Sequence, residues 1–277
     1  MRLKILSCLC FAILLFSDCD DSFVVNADWK DITIIYGLLN TNDSINYIKI
    51  NKAFLNENTN AIELAKIVDS IYYKDSITVL LEEWNGPLLV RNIYLTKEYD
   101  TTKDSGIFAY PGQYLYRTPV IKLNINYLYK LLVKNPQTGK EIRSETTLVG
   151  NIGTNLPSPN GQVTFKPDNQ VDVRWYAGKN AYFYDLLANN IPVDMNLDRE
   201  FRRFEFSFSA GGEEIYNYIN VNKPSIGIIQ KKPEYSNIDN ALGVFSSRNK
   251  NVFTVYLSSI SITEIKKNDK TLNLNFQ

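Results

Sequence analysis

From about residue 31 onward the chain consists mostly of short apolar runs, many with alternating polar residues, that are separated by turn signals. This pattern predicts β-strands. Residues 31–36 are rich in β-branched side chains. The Asn-Gly-Pro sequence at 85–87 lies between apolar runs at 77–81 and 88–94, and it predicts a turn between two strands. Strands of six to nine residues with short connections favour an antiparallel sandwich over βαβ units.

One segment has a helical pattern instead. Thr59 and Asn60 are suitable caps for a helix from Ala61 to Val68, in which Ala65 lies on the apolar face. Because the segment is short and lies between strands, we interpret it as a crossover helix.

Two β units are predicted on either side of a linker. Residues 151–161 contain two Pro and two Gly among small polar residues, which predicts a domain boundary between units at 31–150 and 162–277. In the second unit, an alternating strand at 171–175 is followed by an aromatic strand at 182–186. This order resembles a fibronectin-type or other immunoglobulin-like sandwich. The predicted fold class is all-β, with two antiparallel immunoglobulin-like β-sandwich units and one short crossover helix. Whether the units share one core is left open.

The N-terminus carries an export signal. Arg2 and Lys4 precede an apolar run over residues 5–16, which at about 12 residues is too short to span a hydrocarbon core of roughly 30 Å. A buried N-terminal helix is the alternative, but the pattern fits a secretory signal peptide better. We therefore assign residues 1–18 to a signal peptide and residues 19–30 to a lipid-anchored linker.

All three cysteines, Cys8, Cys10 and Cys19, lie in or at the end of this signal. A single thiol at the mature N-terminus makes sense as a site of lipid attachment, since exported proteins usually keep Cys for disulfides. The sequence resembles a bacterial lipoprotein with Cys19 as the lipidated residue, although Asp18 stands where the pattern has a small residue.

Two acidic residues, Asp20 and Asp21, follow Cys19 directly. They resemble the signal that sends Bacteroidota lipoproteins to the outer face of the outer membrane. The alternative is a solvated linker. The resemblance implies a protein that is lipid-anchored in the outer membrane and faces the cell surface.

Composition excludes several classes of function. The formal net charge is +0 and the chain has no long basic block, which argues against a nucleic-acid partner. There is no His, so His ligands, His general bases and Ser-His pairs are all excluded. We therefore expect a protein that is not an enzyme and has neither a cofactor nor a metal site.

Aromatic side chains are the candidates for binding. They make up 13% of the chain, and Tyr buries a large area at low entropic cost. The candidate binding residues are Trp84, Tyr110, Tyr114 and Tyr116, and Glu82 beside Trp84 could form the edge of a sugar site. The alternative is that these aromatic residues belong to the core, since strands favour Tyr in any case.

Three Asp-Ser-Ile triplets resemble the O-glycosylation signal of exported Bacteroidota proteins. Their serines, Ser44, Ser70 and Ser76, are the candidate modification sites.

Six short segments carry a wider resemblance to a family of Bacteroidota outer-membrane lipoproteins built on a domain of unknown function. The segments are residues 35–39, 47–54, 127–131, 139–141, 235–238 and 243–245. The resemblance implies a surface β-protein that is sometimes associated with TonB-dependent uptake systems, and it implies no known activity.

Three hypotheses about function follow. The first is a non-catalytic surface lipoprotein that binds a glycan, a peptide or a partner protein. The second is a structural or assembly subunit of an envelope complex, which a broad apolar patch would favour. The third is a carboxylate-dependent hydrolase, which needs two loop acids close together and one raised pKa.

Overall fold

The computed structural model describes residues 32–53, 61–74, 77–102, 112–166, 170–190, 203–222 and 235–267. Strands dominate this part of the chain, and most neighbouring strands are antiparallel. The predicted all-β, sandwich-type fold class is therefore confirmed. The signal peptide at 1–18, the linker at 19–30, Cys19, Asp20 and Asp21 lie outside the described residues.

Two sheets form the sandwich. In spatial order, the larger sheet contains β12 (Phe183–Asn190), β13 (Arg203–Gly211), β14 (Leu242–Leu257), β1 (Thr33–Asn40), β2 (Tyr47–Lys52), β6 (Gln113–Arg117) and β5 (Thr96–Asp100), with β10 (Gln162–Val163) beside β14. The smaller sheet contains β4 (Leu88–Tyr94), β3 (Thr78–Asn85), β7 (Leu128–Asn135) and β8 (Lys140–Thr147).

The remaining elements are short. Two strands, β9 (Gly153–Leu156) and β11 (Arg174–Tyr176), pair with each other outside the two large sheets. The helices are α1 (Ala61–Lys66), α2 (Val68–Ile71), α3 (Glu213–Val221) and α4 (Ser259–Lys267).

The main core lies between the two sheets. Strand β1 supplies Ile35 and Leu39, strand β3 supplies Leu81, and strand β7 supplies Tyr129, all of them fully buried. Alternate residues of a strand point to the same face, so the period-2 pattern seen in the sequence becomes one apolar layer on each sheet.

The two halves of the chain share this core, which answers the question left open by the sequence. Strand β14 lies beside β1 in parallel register, and its fully buried Phe245 belongs to the same cluster as Ile35. Gly243 pairs with Ile35 at a φ of +113°, and a Cβ there would collide with the Ile35 carbonyl oxygen. Glycine is therefore required where the two halves meet.

The parallel pairs of β14 differ from the expected antiparallel arrangement. Strands β1 and β10 both run parallel to β14. No hairpin turn connects β1 to β14, since most of the chain separates them. Their relative direction is therefore set by packing, which the local sequence pattern does not encode.

The predicted linker at 151–161 contains regular structure. It includes β9, which pairs with β11, and its Ile152 is buried in a second apolar cluster with Phe208. The predicted strand at 171–175 is reduced to β11, on which Trp175 stays exposed.

The crossover helix is confirmed but interrupted. Helix α1 ends at Lys66, Ile67 has extended backbone angles, and α2 follows. The segment joins β2 of the larger sheet to β3 of the smaller one, so it carries the chain from one layer of the sandwich to the other.

Candidate functional site

The hairpin formed by β3 and β4 exposes three consecutive apolar residues. Asn85 pairs with Leu88 across the turn, and Gly86 has a φ of +57°, which favours glycine. Just after the turn, Leu88, Leu89 and Val90 are 64%, 39% and 43% exposed. We call these three residues the apolar tip.

The hairpin also forms an edge of its sheet. Strand β4 pairs with β3 on one side, and no strand of the described chain pairs with its other side. The pairing register shifts between Glu83 and Trp84, so one extra residue is accommodated in β4 beside the apolar tip. Such an unpaired strand edge with exposed apolar residues is a template for association.

Trp84, one of the sequence-predicted binding aromatics, lies next to the apolar tip. It pairs with Leu89 across the hairpin and is half-buried. Its indole Nε1 donates a hydrogen bond to Glu82 Oε2 at 2.9 Å, and Lys130 Nζ lies 5.0 Å from the ring centroid. The indole is therefore fixed at the surface of the sheet with a polar rim around it.

The other predicted aromatics lie elsewhere. Tyr116 is 4% exposed and belongs to the main core, so its proposed place on a binding face is wrong. Tyr114 points to the same side of β6, where it packs against Tyr72 with ring centroids 5.5 Å apart. Tyr114 is half-buried and also contacts the exposed Tyr99, with ring centroids 5.1 Å apart, so its role in binding stays a prediction. Tyr110 lies outside the described residues.

A charged network with a buried carboxylate connects the hairpin to the neighbouring strand β7. Glu83 is only 2% exposed, and its carboxylate accepts hydrogen bonds from the Arg91 guanidinium and from the Tyr129 hydroxyl. Burial raises the pKa of the Tyr129 phenol well above its usual value, and the hydrogen bond to Glu83 raises it further. The network thus links β3, β4 and β7.

The same network fixes a neighbouring loop. Arg91 Nη2 donates to the Lys122 carbonyl oxygen at 3.3 Å, and the Asn124 N–H donates to the Tyr129 hydroxyl at 2.7 Å. The hairpin and the loop at residues 118–127 are therefore held in one arrangement. A preorganised surface loses less entropy on binding a partner.

The adjacent acids Glu82 and Glu83 do not form the pair that a hydrolase needs. Glu82 and Glu83 point to opposite faces of β3, as expected for neighbours on a strand. Hydrogen bonds from Thr102 and Gln113 lower the pKa of Asp100. Hydrogen bonds from Lys134 and, to a smaller extent, from Arg143 lower the pKa of Glu141. No three His, Cys, Asp or Glu residues lie together as a metal site within the described ranges.

The candidate glycosylation sites differ in accessibility. Ser44 is exposed in the turn between β1 and β2, whereas Ser70 is half-buried in α2. Ser76 lies outside the described residues. Modification of these serines stays a prediction, and Ser44 is the more accessible of the two that the structure describes.

The sequence analysis missed the apolar tip, although the signal was present. Leu88, Leu89 and Val90 are consecutive, and a strand alternates its two faces, so all three cannot enter one core. Three adjacent apolar residues next to a turn therefore predict either a fully covered strand or an exposed apolar surface.

The fold and this site define an all-β sandwich protein with an exposed apolar hairpin. Comparisons with protein-family models, with curated proteins and with solved structures found no match. Across the described ranges, every helix is too short or too polar to cross a membrane.

Proposed function

We propose that this protein is a non-catalytic lipoprotein of the outer membrane, anchored through Cys19 and facing the cell surface, that binds a partner protein through the β3–β4 hairpin. The observation that carries the binding role is the apolar tip beside the fixed indole of Trp84. Large apolar groups that stay in water at the end of a rigid hairpin gain free energy when a partner covers them.

Two kinds of contact are available to the partner. The unpaired edge of β4 offers backbone N–H and C=O groups to an added strand, and the apolar tip offers side-chain contacts on the same element. Trp84 supplies a large flat surface of the kind that dominates the binding free energy of many interfaces. Backbone pairing thus supplies affinity, and the side chains supply specificity.

An assembly role in an envelope complex is the second candidate, because the same apolar residues would suit a permanent interface. The two roles differ in how stable the complex with the partner is. A permanent subunit stays in a stoichiometric complex through purification in mild detergent, whereas a transient binding protein is released.

The partner can be captured by photo-crosslinking in intact cells of the native host. A photo-reactive phenylalanine analogue at position 88 is expected to give one discrete adduct, which disappears in the Leu89→Asp, Val90→Asp double variant. Val252 provides a matched control, because it is an exposed apolar residue, 45% exposed, on β14 of the larger sheet. The same analogue at position 252 should give no such adduct.

The binding proposal is refuted if position 88 yields no adduct, or if positions 88 and 252 yield the same products. Because Asp is disfavoured in strands and Leu89 pairs with Trp84, the double variant should lose about 1–2 kcal/mol of unfolding free energy and remain folded. That measurement separates loss of binding from loss of folding.

The anchor is tested separately by labelling the cells with radioactive palmitate. Label should be present in the wild type and absent in Cys19→Ala, and protease added to intact cells should cleave the wild-type protein. An unlabelled protein of mature size would refute the lipid anchor, and protection from protease would refute the outward orientation.

A further inference from the structure

A cleft of about 400 Å³ opens where three loop segments meet. The turn after β1 contributes Thr41 and Asn42, the loop at residues 118–127 contributes Lys122, Leu123 and Ile125, and the segment before β9 contributes Asn151. We call this feature the polar cleft. Its volume falls within the range of about 300–1,000 Å³ that is typical of small-molecule sites.

Hydrogen bonds hold the first wall of the polar cleft in place. Asn42 Nδ2 donates to Asn249 Oδ1 at 3.2 Å and to the Lys250 carbonyl oxygen at 3.3 Å. Thr41 Oγ1 accepts from Asn249 Nδ2 at 3.0 Å and donates to the Val149 carbonyl oxygen at 3.4 Å. Asn249 is itself buried, so this wall is part of the rigid framework.

The second wall is fixed by the network around Glu83. Arg91 binds the Lys122 carbonyl oxygen, and Tyr129 binds the Asn124 N–H. The Ile121 N–H also donates to the Ser44 carbonyl oxygen at 2.7 Å, which ties this wall to the turn after β1. The polar cleft is therefore preformed, and a ligand does not have to order its walls.

The lining combines one positive charge, polar groups and an apolar floor. Within the described chain, neither the Lys122 ammonium nor the Asn151 carboxamide has a hydrogen-bond or ion-pair partner. Half-buried Ile125 supplies apolar surface, and Leu123 lies almost completely buried beside it in the main core. No described carboxylate lines the cleft.

We propose that the polar cleft binds an acidic saccharide, a sugar unit that carries a carboxylate. The ammonium of Lys122 pairs with the carboxylate. Asn42 can accept from a sugar hydroxyl through Oδ1, since both of its Nδ2 protons bind the wall, and the Asn151 carboxamide can both donate and accept. Ile125 contacts the C–H groups of the ring. This site uses different residues from the hairpin and goes beyond the proposed protein-binding role.

A peptide with a free C-terminal carboxylate is the competing ligand, and the lining favours the saccharide over it. An extended peptide needs a row of backbone partners such as a sheet edge, and the lining residues belong to loops and a turn. Scattered side-chain carboxamides suit the scattered hydroxyls of a sugar ring.

The test uses the purified full-length mature protein and isothermal titration calorimetry. The probes are digalacturonate, its neutral counterpart digalactose, and a tripeptide with a free C-terminal carboxylate. We expect digalacturonate to bind at least ten-fold more tightly than digalactose, and the affinity to fall as salt is added. Lys122→Gln should remove this preference, and Lys122→Arg should retain most of it.

Lys134→Gln is the matched control, because Lys134 is an exposed lysine on β7 that pairs with Glu141 outside the cleft. It should bind digalacturonate as the wild type does. The hairpin variant with Leu89→Asp and Val90→Asp should also bind normally, so failure of one proposal is distinguishable from failure of the other.

Four outcomes overturn the saccharide proposal. These are no binding of digalacturonate, equal binding of digalacturonate and digalactose, equal losses in Lys122→Gln and Lys134→Gln, and tighter binding of the tripeptide than of digalacturonate. The last outcome would identify the polar cleft as a peptide site.

Discussion

Glu83 and Arg91 are direct partners across the β3–β4 hairpin, and their side chains form an ion pair that is almost completely buried on the carboxylate side. Arg91 keeps part of its guanidinium in water, which lowers the cost of desolvating the pair. The pair therefore stabilises the base of a hairpin whose apolar tip lies in solvent.

Replacing Glu83 with Gln should lower the free energy of unfolding by about 1.5–3 kcal/mol, the usual range for hydrogen bonds to a charged group. Gln keeps the shape of the side chain but leaves Arg91 without a negative partner. Urea denaturation followed by fluorescence measures the change. The control is Glu82→Gln on the opposite face of β3, which should change stability by less than about 0.5 kcal/mol. Equal losses in the two variants would contradict the prediction.

Stability should decline in alkaline solution through Tyr129. Its folded-state pKa is raised, first by burial and then by the hydrogen bond to Glu83, so the folded state holds this proton more tightly than the unfolded chain. The stabilisation is fully present below the ordinary Tyr value of about 10 and is lost as the pH rises above it, by at most about 1.4 kcal/mol per pH unit.

The measurement for Tyr129 is urea unfolding at a series of pH values from 8 to 11. Tyr129→Phe should show a shallower decline than the wild type. The decline will not vanish, because the pKa of Tyr218 is also raised, by burial and then by its hydrogen bond with Tyr36. Tyr94→Phe, at an exposed position of β4, serves as the control and should keep the wild-type slope. An unchanged slope in Tyr129→Phe would rule out this assignment.

Gly243→Ala should be more damaging than a glycine substitution in an open turn. Gly139 also has a positive φ, +68°, but a Cβ there meets nothing within 4 Å, so Gly139→Ala should cost only the backbone term of about 1–2 kcal/mol. At Gly243 the collision with the Ile35 carbonyl is added. Thermal denaturation of both variants tests this difference. Similar melting temperatures would show that β1 and β14 do not approach so closely.

The two halves of the chain should unfold as one unit, because they share the core around Phe245. Two single-tryptophan variants, one with Trp84 and one with Trp175, report on the smaller sheet and on β11 respectively. Their urea transitions should coincide. Phe245→Ala should lower stability by about 3–5 kcal/mol and shift both transitions equally. A shift in only one of them would indicate two independent cores.

The candidate site shows what local sequence patterns predict and what they do not. The alternation around Glu82 and Glu83 predicts that they point to opposite faces, and the structure confirms it. The same pattern does not predict the partners of Glu83. Arg91 lies across a hairpin with a register shift, and Tyr129 lies on a strand much later in the chain. Strand patterns do not specify which distant residue faces a buried carboxylate.

The aromatic residues show the same limit of local sequence patterns. Trp84 and Tyr116 both occur in strands rich in Tyr or Leu, and composition cannot separate them. In the fold, Trp84 lies at the surface beside the apolar tip, whereas Tyr116 fills the core. Which face of a strand is inside depends on the sheet that packs against it, and that is a property of the whole chain.

Local residue patterns were sufficient to predict the all-β class, the crossover helix and the turn at residues 85–87, because strand alternation, helix capping and turn formation depend on neighbours in the chain. Only the tertiary structure placed β14 beside β1, merged the two predicted units into one core, and left Leu88, Leu89 and Val90 in water. The physical reason is that the hydrophobic effect is non-directional. It drives burial but does not select partners, which are chosen by shape and by backbone hydrogen bonding across the assembled sheets.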